Sequence, residues 1–190
     1  MPDHFIQLHS GKKFYFDGAR WFVHDIEDIA HALAHLCRFT GHTDQFYSVA
    51  QHCWQASHLI EPTQALGALL HDAGEAYTGD VSSPLKRWVS SKVAPTAEFE
   101  RPWTPLDHLQ HATHHSIEAQ FNVKLYTDEL KYIDRVLLVT EAKLLMPDVS
   151  VFAESLDTQP GQFHAWDGCW GPNTAKDAFL KRFYELTAVT

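Results

Sequence analysis

Cysteine is scarce: Cys37, Cys53 and Cys169 are the only three in 190 residues, and no two form a CxxC pair. An odd, widely spaced set excludes a disulfide framework and the paired-thiolate zinc sites of small metal-binding domains, leaving them as small buried side chains. No run of about eighteen apolar residues occurs, so no membrane span is readable. The opening MPDHFIQLHSGKKF lacks the apolar stretch of a signal peptide, which predicts a cytoplasmic protein. Basic residues are outnumbered, 15 Lys and Arg against 24 Asp and Glu, for a formal net charge of -9. That balance argues against a broad nucleic-acid surface, so any phosphate has to be met locally, by a metal ion and a few basic side chains. Low-complexity tracts, internal repeats, glycine-rich phosphate loops, GxSxG elbows and zinc-finger spacings are missing as well.

What remains, with 45% hydrophobic residues, describes an ordinary globular chain that is long enough to bury a sizeable core. One domain over 1–190 is expected, with residues 1–20 as a hairpin appendage and 148–190 as a C-terminal extension packing on the rest. Phe5–His9 and Lys13–Phe16 are β-prone runs around Ser10-Gly11-Lys12. From Ile26 the period changes: Ile26, Ile29, Ala30, Leu33, Leu36 and Cys37 recur at helical spacing behind a potential cap at Asp25, predicting a helix to about Arg38. Further helices are predicted from about Val49 to Ile60, from Thr63 to about Tyr77, and after the cap-plus-proline signals Ser83-Pro84 and Thr104-Pro105. Another is predicted from Thr127, with Ile133, Val136, Leu137, Thr140 and Leu144 inward, and a last one carries Ala175 to Leu186. Residues 148 to about 172 read as irregular. The sum is an all-α fold of six or seven helices with one small hairpin.

Within this apolar frame stands LHDAGEAYTGD, residues 70–80, preceded by ALGALL. A His, two Asp and a Glu in eleven residues are costly to bury unless they are paired, hydrogen-bonded or bound to a metal. On a helix Glu75 returns to the face of His71 and Asp72, and Asp80 follows in a loop short enough to fold back. His52 in SVAQHC and Asp134 in KYIDRVLL, near the edge of an apolar stripe, would complete a ligand set. Either alone reads as a satisfied core histidine or a solvated acid; the adjacent His71-Asp72 is harder to explain without a function. His31 with His35, and His108 with His111 and His115, share helical faces but lack carboxylates at ligand spacing, so polar faces are the better reading.

The ordered set His52, His71-Asp72 and Asp134 resembles the HD-domain metal-dependent phosphohydrolases over about Ile26 to Leu145. The phrase HDxxExxxxGD followed by SPLK is similar to the branch of bacterial 5'-deoxynucleotidases and, more closely, phage-type dATP triphosphohydrolases. The resemblance implies an HD-domain helical bundle in which His52, His71, Asp72 and Asp134 bind a divalent transition metal. The N and O donors suit Zn, Co, Mn or Fe. It implies that Glu75 and Asp80 orient water, assist proton transfer or hold a second divalent ion. It further implies that Arg38 grips the phosphate, and that Phe39 stands beside the sugar where the nucleotidases carry tryptophan. By matching position and apolar character, Phe39 is expected on the deoxyribose and the Gly41 region and Pro84 against the base; Lys86, Arg87 and His42 are nearby cations. The implied function is hydrolysis of dATP to deoxyadenosine and triphosphate by a cytoplasmic homo-oligomer, in a host's cytoplasm where the gene is phage-borne. The alternatives are a 5'-deoxynucleotidase, a hydrolase of another phosphate ester such as a nucleotide alarmone, and a non-catalytic nucleotide-binding regulatory module.

Overall fold

A computed structural model describes residues 4–93, 104–150, 152, 157, 158 and 160–188. Strands β1 (Phe5–Gln7) and β2 (Lys13–Tyr15) pair antiparallel with Ile6 opposite Phe14. Alternation turns Phe14 inward, where it is fully buried and stacks on Tyr77 at 4.2 Å, sealing the hairpin against the segment that follows His71-Asp72. A 3-10 turn, Phe16–Trp21, leads to helices α1 (Ile26–His35), α2 (Val49–Leu59), α3 (Ala65–Leu70), α4 (Glu75–Thr78), α5 (Ser83–Ser90), α6 (Pro105–Phe121), α7 (Asp128–Leu145) and α8 (Pro172–Thr187). The chain is therefore all-α with one small hairpin, as expected. With α3 and α4 counted as one interrupted helix, there are seven helical units among the described residues.

Caps fall where short polar side chains precede apolar periodicity. Asp25 accepts from the Glu27 N–H, Thr127 accepts from the Leu130 N–H, and Thr104 forms a reciprocal capping box with Asp107. Three departures from the sequence reading matter for the site. Helix α1 stops at His35 rather than Arg38, because Leu36–Arg38 turns extended and pairs with 47–49: the Arg38 N–H donates to Tyr47 O (2.9 Å) and the Val49 N–H to Leu36 O (3.0 Å). The helix expected over Thr63–Tyr77 is a 3-10 turn at Pro62–Gln64, then α3, then a tight turn at 71–74, then α4. In that turn Ala73 and Glu75 bond three residues back, to Leu70 O and Asp72 O, so Glu75 lies over Asp72 rather than over His71. Leu144, expected inward, is 55% exposed; Leu145 fills the core position instead, at 3%.

Helix α2 runs through the middle of the molecule. One side, with Val49, Ala50 and Cys53, joins the core of Ile29, Ala30, Leu33, Leu69, Leu70, Ile117, Phe179 and Phe183; the other, with Ala56 and Ile60, joins Ala65, Ala68, Leu130 and Leu137. Polar side chains on this helix are therefore stripped of water, and Gln51, His52 and Gln55 are fully buried. The stretch after Pro160 supplies three of the missing partners. Gln51 donates to Gly168 O (2.8 Å) and accepts from the Trp170 N–H (2.9 Å), and Gln55 accepts from the His164 N–H (2.8 Å). Positions 151, 153–156 and 159 of the stretch read as irregular lie outside the described residues.

Candidate metal centre

Two helices and a turn bring His52 and His71 together with both imidazoles oriented from behind. His52, on α2, donates from Nδ1 to Glu141 Oε1 at 2.7 Å; His71, at the end of α3, donates from Nδ1 to the Ala68 carbonyl at 2.7 Å. Both partners are acceptors, so Nδ1 carries a proton in each ring; burial opposes a second proton, yet Glu141 and Asp134 raise the pKa of His52 and Asp72 raises that of His71, so each Nε2 takes up a proton or a metal ion. These two Nε2 atoms face one another at 3.2 Å. Two ring nitrogens that close repel unless a proton or a metal ion lies between them.

Carboxylates occupy the remaining sides. Asp134 Oδ1, from α7, is 3.2 Å from His52 Nε2 and 4.0 Å from His71 Nε2. Asp72 Oδ2 is 3.2 Å from His71 Nε2 and 3.7 Å from His52 Nε2. Donors about 2.1 Å from a shared ion at tetrahedral or octahedral angles lie about 3.0–3.4 Å apart, so the 3.2 Å separations match a metal's coordination shell. His52, His71 and Asp134 have one donor atom each, all within 4.8 Å of one another. The residues fit a divalent ion in chemistry and spacing. Cys53, His71 and Asp72 form an overlapping group of the same kind, but burial pushes the Cys53 thiol up to about 11, and the protonated sulfur is the poorer donor.

Electrostatics follow from this crowding. Burial opposes charge on Asp72, yet His71, His52 and Arg38 hold its carboxyl far below the usual carboxylate range. Glu75 goes the other way: burial first, then Asp72 and Asp80, raise it well above an ordinary glutamate, and its Oε2 is buried with no hydrogen-bond partner. Asp80 is raised as well, by burial and by Asp72. The three acids lie along a cavity of about 820 Å³, which they line together with His71, Asp134, Arg38, Phe39, Pro84 and Lys86.

All the sequence-derived candidates except Gly41 thus converge on the cluster or its cavity; His52 does so from behind, fully buried. Gly41 is not among the lining residues. It is exposed at φ +79°, following Phe39 (φ +55°) and Thr40 (φ +56°), so its contribution is to the left-handed turn that presents Phe39 and Thr40 to the cavity. Phe39 packs edge-on against Phe152 at 5.7 Å, with the Arg38 guanidinium 5.7 Å from its ring. Sequence reasoning missed Glu141, which is fully buried on α7, and the cavity-lining His114, Tyr126 and Lys131. Glu141 sits seven residues after Asp134, two helical turns along, and that spacing was the available signal.

No family model matches the chain. It is similar to the uncharacterized protein YfdR of Escherichia coli strain K12, 33% identical over 184 residues that cover 96% of each chain. An uncharacterized protein of Rhodobacter capsulatus is 44% identical over 71 residues, 33% of this chain and 36% of that one. With the full-length match to YfdR, the chain belongs to the same family as that protein.

Proposed function

We propose that this protein is a divalent-metal-dependent phosphohydrolase of deoxynucleotides, with dATP the favoured substrate, cleaving the 5' ester to deoxyadenosine and triphosphate. The observation that carries the reading is the pair of imidazole Nε2 atoms 3.2 Å apart, each ring locked from behind and flanked by two carboxylates, at the wall of a cavity. His52, His71, Asp72 and Asp134 would hold a Zn, Co, Mn or Fe ion. When bound, the ion neutralises phosphate charge and lowers the pKa of water so that it is nucleophilic near neutral pH.

The remaining steps belong to the chain. Arg38, 3.7 Å from Asp72, grips a phosphate oxygen beside the metal ligands. Glu75, its Oε2 without a partner, orients the water that attacks the α-phosphorus and takes its proton; Asp80 assists, or with Glu75 holds a second divalent ion. The 5' oxygen leaves with the electron pair of the broken P–O bond and is protonated to the nucleoside alcohol. Lys86, Arg87 and Lys131 line the same cavity and meet the β and γ phosphates, which favours the triphosphate over a monophosphate. Phe39 with Phe152, and Leu138 and Met146, offer an apolar wall for deoxyribose and base, which Pro84 extends. A regulatory binder has no use for a buried, unpaired Glu75 oxygen, whose desolvation costs stability.

The test is a panel of dATP, ATP, dAMP and dGTP with metal-loaded protein, separating nucleoside, phosphate, pyrophosphate and triphosphate. The reading requires triphosphate from dATP and, for apolar sugar contacts, a dATP over ATP preference in kcat/KM of about 10–200-fold. Phosphate from dAMP with no turnover of dATP would convert the reading to a 5'-deoxynucleotidase.

A further inference from the structure

Glu141 lies behind the metal cluster and is fully buried, yet three donors converge on it. Oε1 accepts from His52 Nδ1 (2.7 Å) and from the Tyr47 hydroxyl (3.0 Å), and Oε2 accepts from Arg38 Nε (2.9 Å). The two oxygens thus serve different elements: one orients a metal ligand on α2, the other the guanidinium on the extended segment after α1. With Nε tied to Glu141, Arg38 directs Nη1 toward Asp72, at 3.7 Å, on the cavity wall.

We infer that Glu141 is a positioning residue that couples the metal site to the phosphate site, aligning His52 for the ion and Arg38 for the anion through the two oxygens of one carboxylate. The inference rests on reading the cavity as a metal and phosphate site. A carboxylate has two acceptor oxygens and satisfies both sides; a primary amide of the same shape has one, and its NH2 group must face either Arg38 Nε–H or His52 Nδ1–H, where two donors repel. Glu141→Gln therefore cannot preserve both orientations. Glu141→Asp keeps the charge but withdraws the oxygens by one methylene and reaches neither partner fully. Tyr47→Phe removes the third donor and leaves both functional contacts intact.

The test needs no turnover. Binding of Co²⁺ to chelator-stripped protein and binding of inorganic phosphate at saturating Co²⁺ are measured by calorimetry for the wild type and the three variants, with circular dichroism confirming the fold. Loss of a partner that orients a metal-ligating histidine weakens the metal by about 10–100-fold. Release of Arg38 weakens phosphate by about tenfold or more, the loss of a hydrogen bond to a charged group. Both affinities are expected to fall in Glu141→Asp and at least one of them in Glu141→Gln, while Tyr47→Phe stays within about threefold of wild type on both. A folded Glu141→Asp protein in which either affinity stays at the wild-type value, or a folded Glu141→Gln protein in which both do, overturns the coupling while leaving the reading of the site in place. Wild-type protein that takes up no Co²⁺ overturns both.

Discussion

At the scale of the residue, His71 and Asp72 have separate duties despite their adjacency. His71 contributes a nitrogen fixed by Ala68, and Asp72 an oxygen that also faces Arg38. Neither can cover the other's direction, so His71→Ala or Asp72→Ala is expected to remove the ion and the activity together. Elemental analysis of the purified variants checks this; full metal content with wild-type turnover would remove both from the ligand set. Glu75 is different in kind: its Oε2 is buried without a partner, and under the proposed mechanism it meets the water rather than the ion held by His52, His71, Asp72 and Asp134. Glu75→Gln is expected to retain metal and nucleotide while losing roughly 10²–10⁴-fold in kcat. A fall in metal content would move it into the coordination shell instead.

His24 shows what burial does to a histidine without a metal. Its ring nitrogens bridge the Tyr77 and Ser116 hydroxyls at 2.7 Å each, and burial lowers its pKa to about 4 from an ordinary 6.5. Between these values the unfolded chain takes up the proton and the folded chain does not. The contribution is therefore complete above about pH 6.5 and is lost as pH falls toward 4. Urea denaturation should show about 2 kcal/mol lost on this account between pH 7.5 and pH 5, and His24→Gln should lack that part of the pH dependence. Equal slopes in the two proteins would mean that His24 is protonated without penalty.

At the scale of the element, α3 is short and fits closely. A Cβ at Gly67 would lie 2.5 Å from the Lys124 carbonyl oxygen, so this helix approaches the backbone after α6 more closely than any side chain allows. Alanine is the better helix former by about 1 kcal/mol, yet Gly67→Ala is expected to destabilise by about 1–3 kcal/mol, because packed backbone has to move. As α3 ends at His71, metal affinity should fall with stability. Chemical denaturation and Co²⁺ titration of the variant check the two effects, and a stabilised variant would contradict the packing.

Helix periods and caps were legible in the sequence because they are local: Asp25, Thr104 and Thr127 each precede an apolar repeat, and each caps a helix. The break after α3 was not legible. The apolar pattern of ALGALL runs on through Ala73, Ala76 and Tyr77, and the tightening to three-residue bonds is a matter of backbone geometry. Arg38 left its helix for a similar reason, through pairing with a segment ten residues later that helical periodicity cannot report.

At the scale of the whole molecule, the acidic balance and the local concentration of cations are compatible because they are read at different distances. A net charge of -9 acts through screened solvent, whereas Arg38, Lys86, Arg87 and Lys131 line one cavity, where the proposed substrate would meet them at contact range. No helix among the described residues is long and apolar enough to cross a membrane. The candidate site was largely legible, since His52, His71-Asp72, Glu75, Asp80 and Asp134 are chemically conspicuous in apolar surroundings. Glu141 was not, because its seven-residue spacing from Asp134 does not by itself tell it from a solvated glutamate until the fold shows three donors closing on it. His114 and Tyr126 went unread because their pairing joins α6 to the segment before α7.

The most direct test of metal-dependent cleavage at the 5' ester is the return of metal to chelator-stripped protein in the presence of dATP, with deoxyadenosine and triphosphate quantified at each addition. The account predicts no turnover without metal, a rise in both products in equal amounts as metal is added, and saturation once the site formed by His52, His71, Asp72 and Asp134 is filled. Turnover that survives complete removal of metal, or metal-dependent release of pyrophosphate in place of triphosphate, would contradict it.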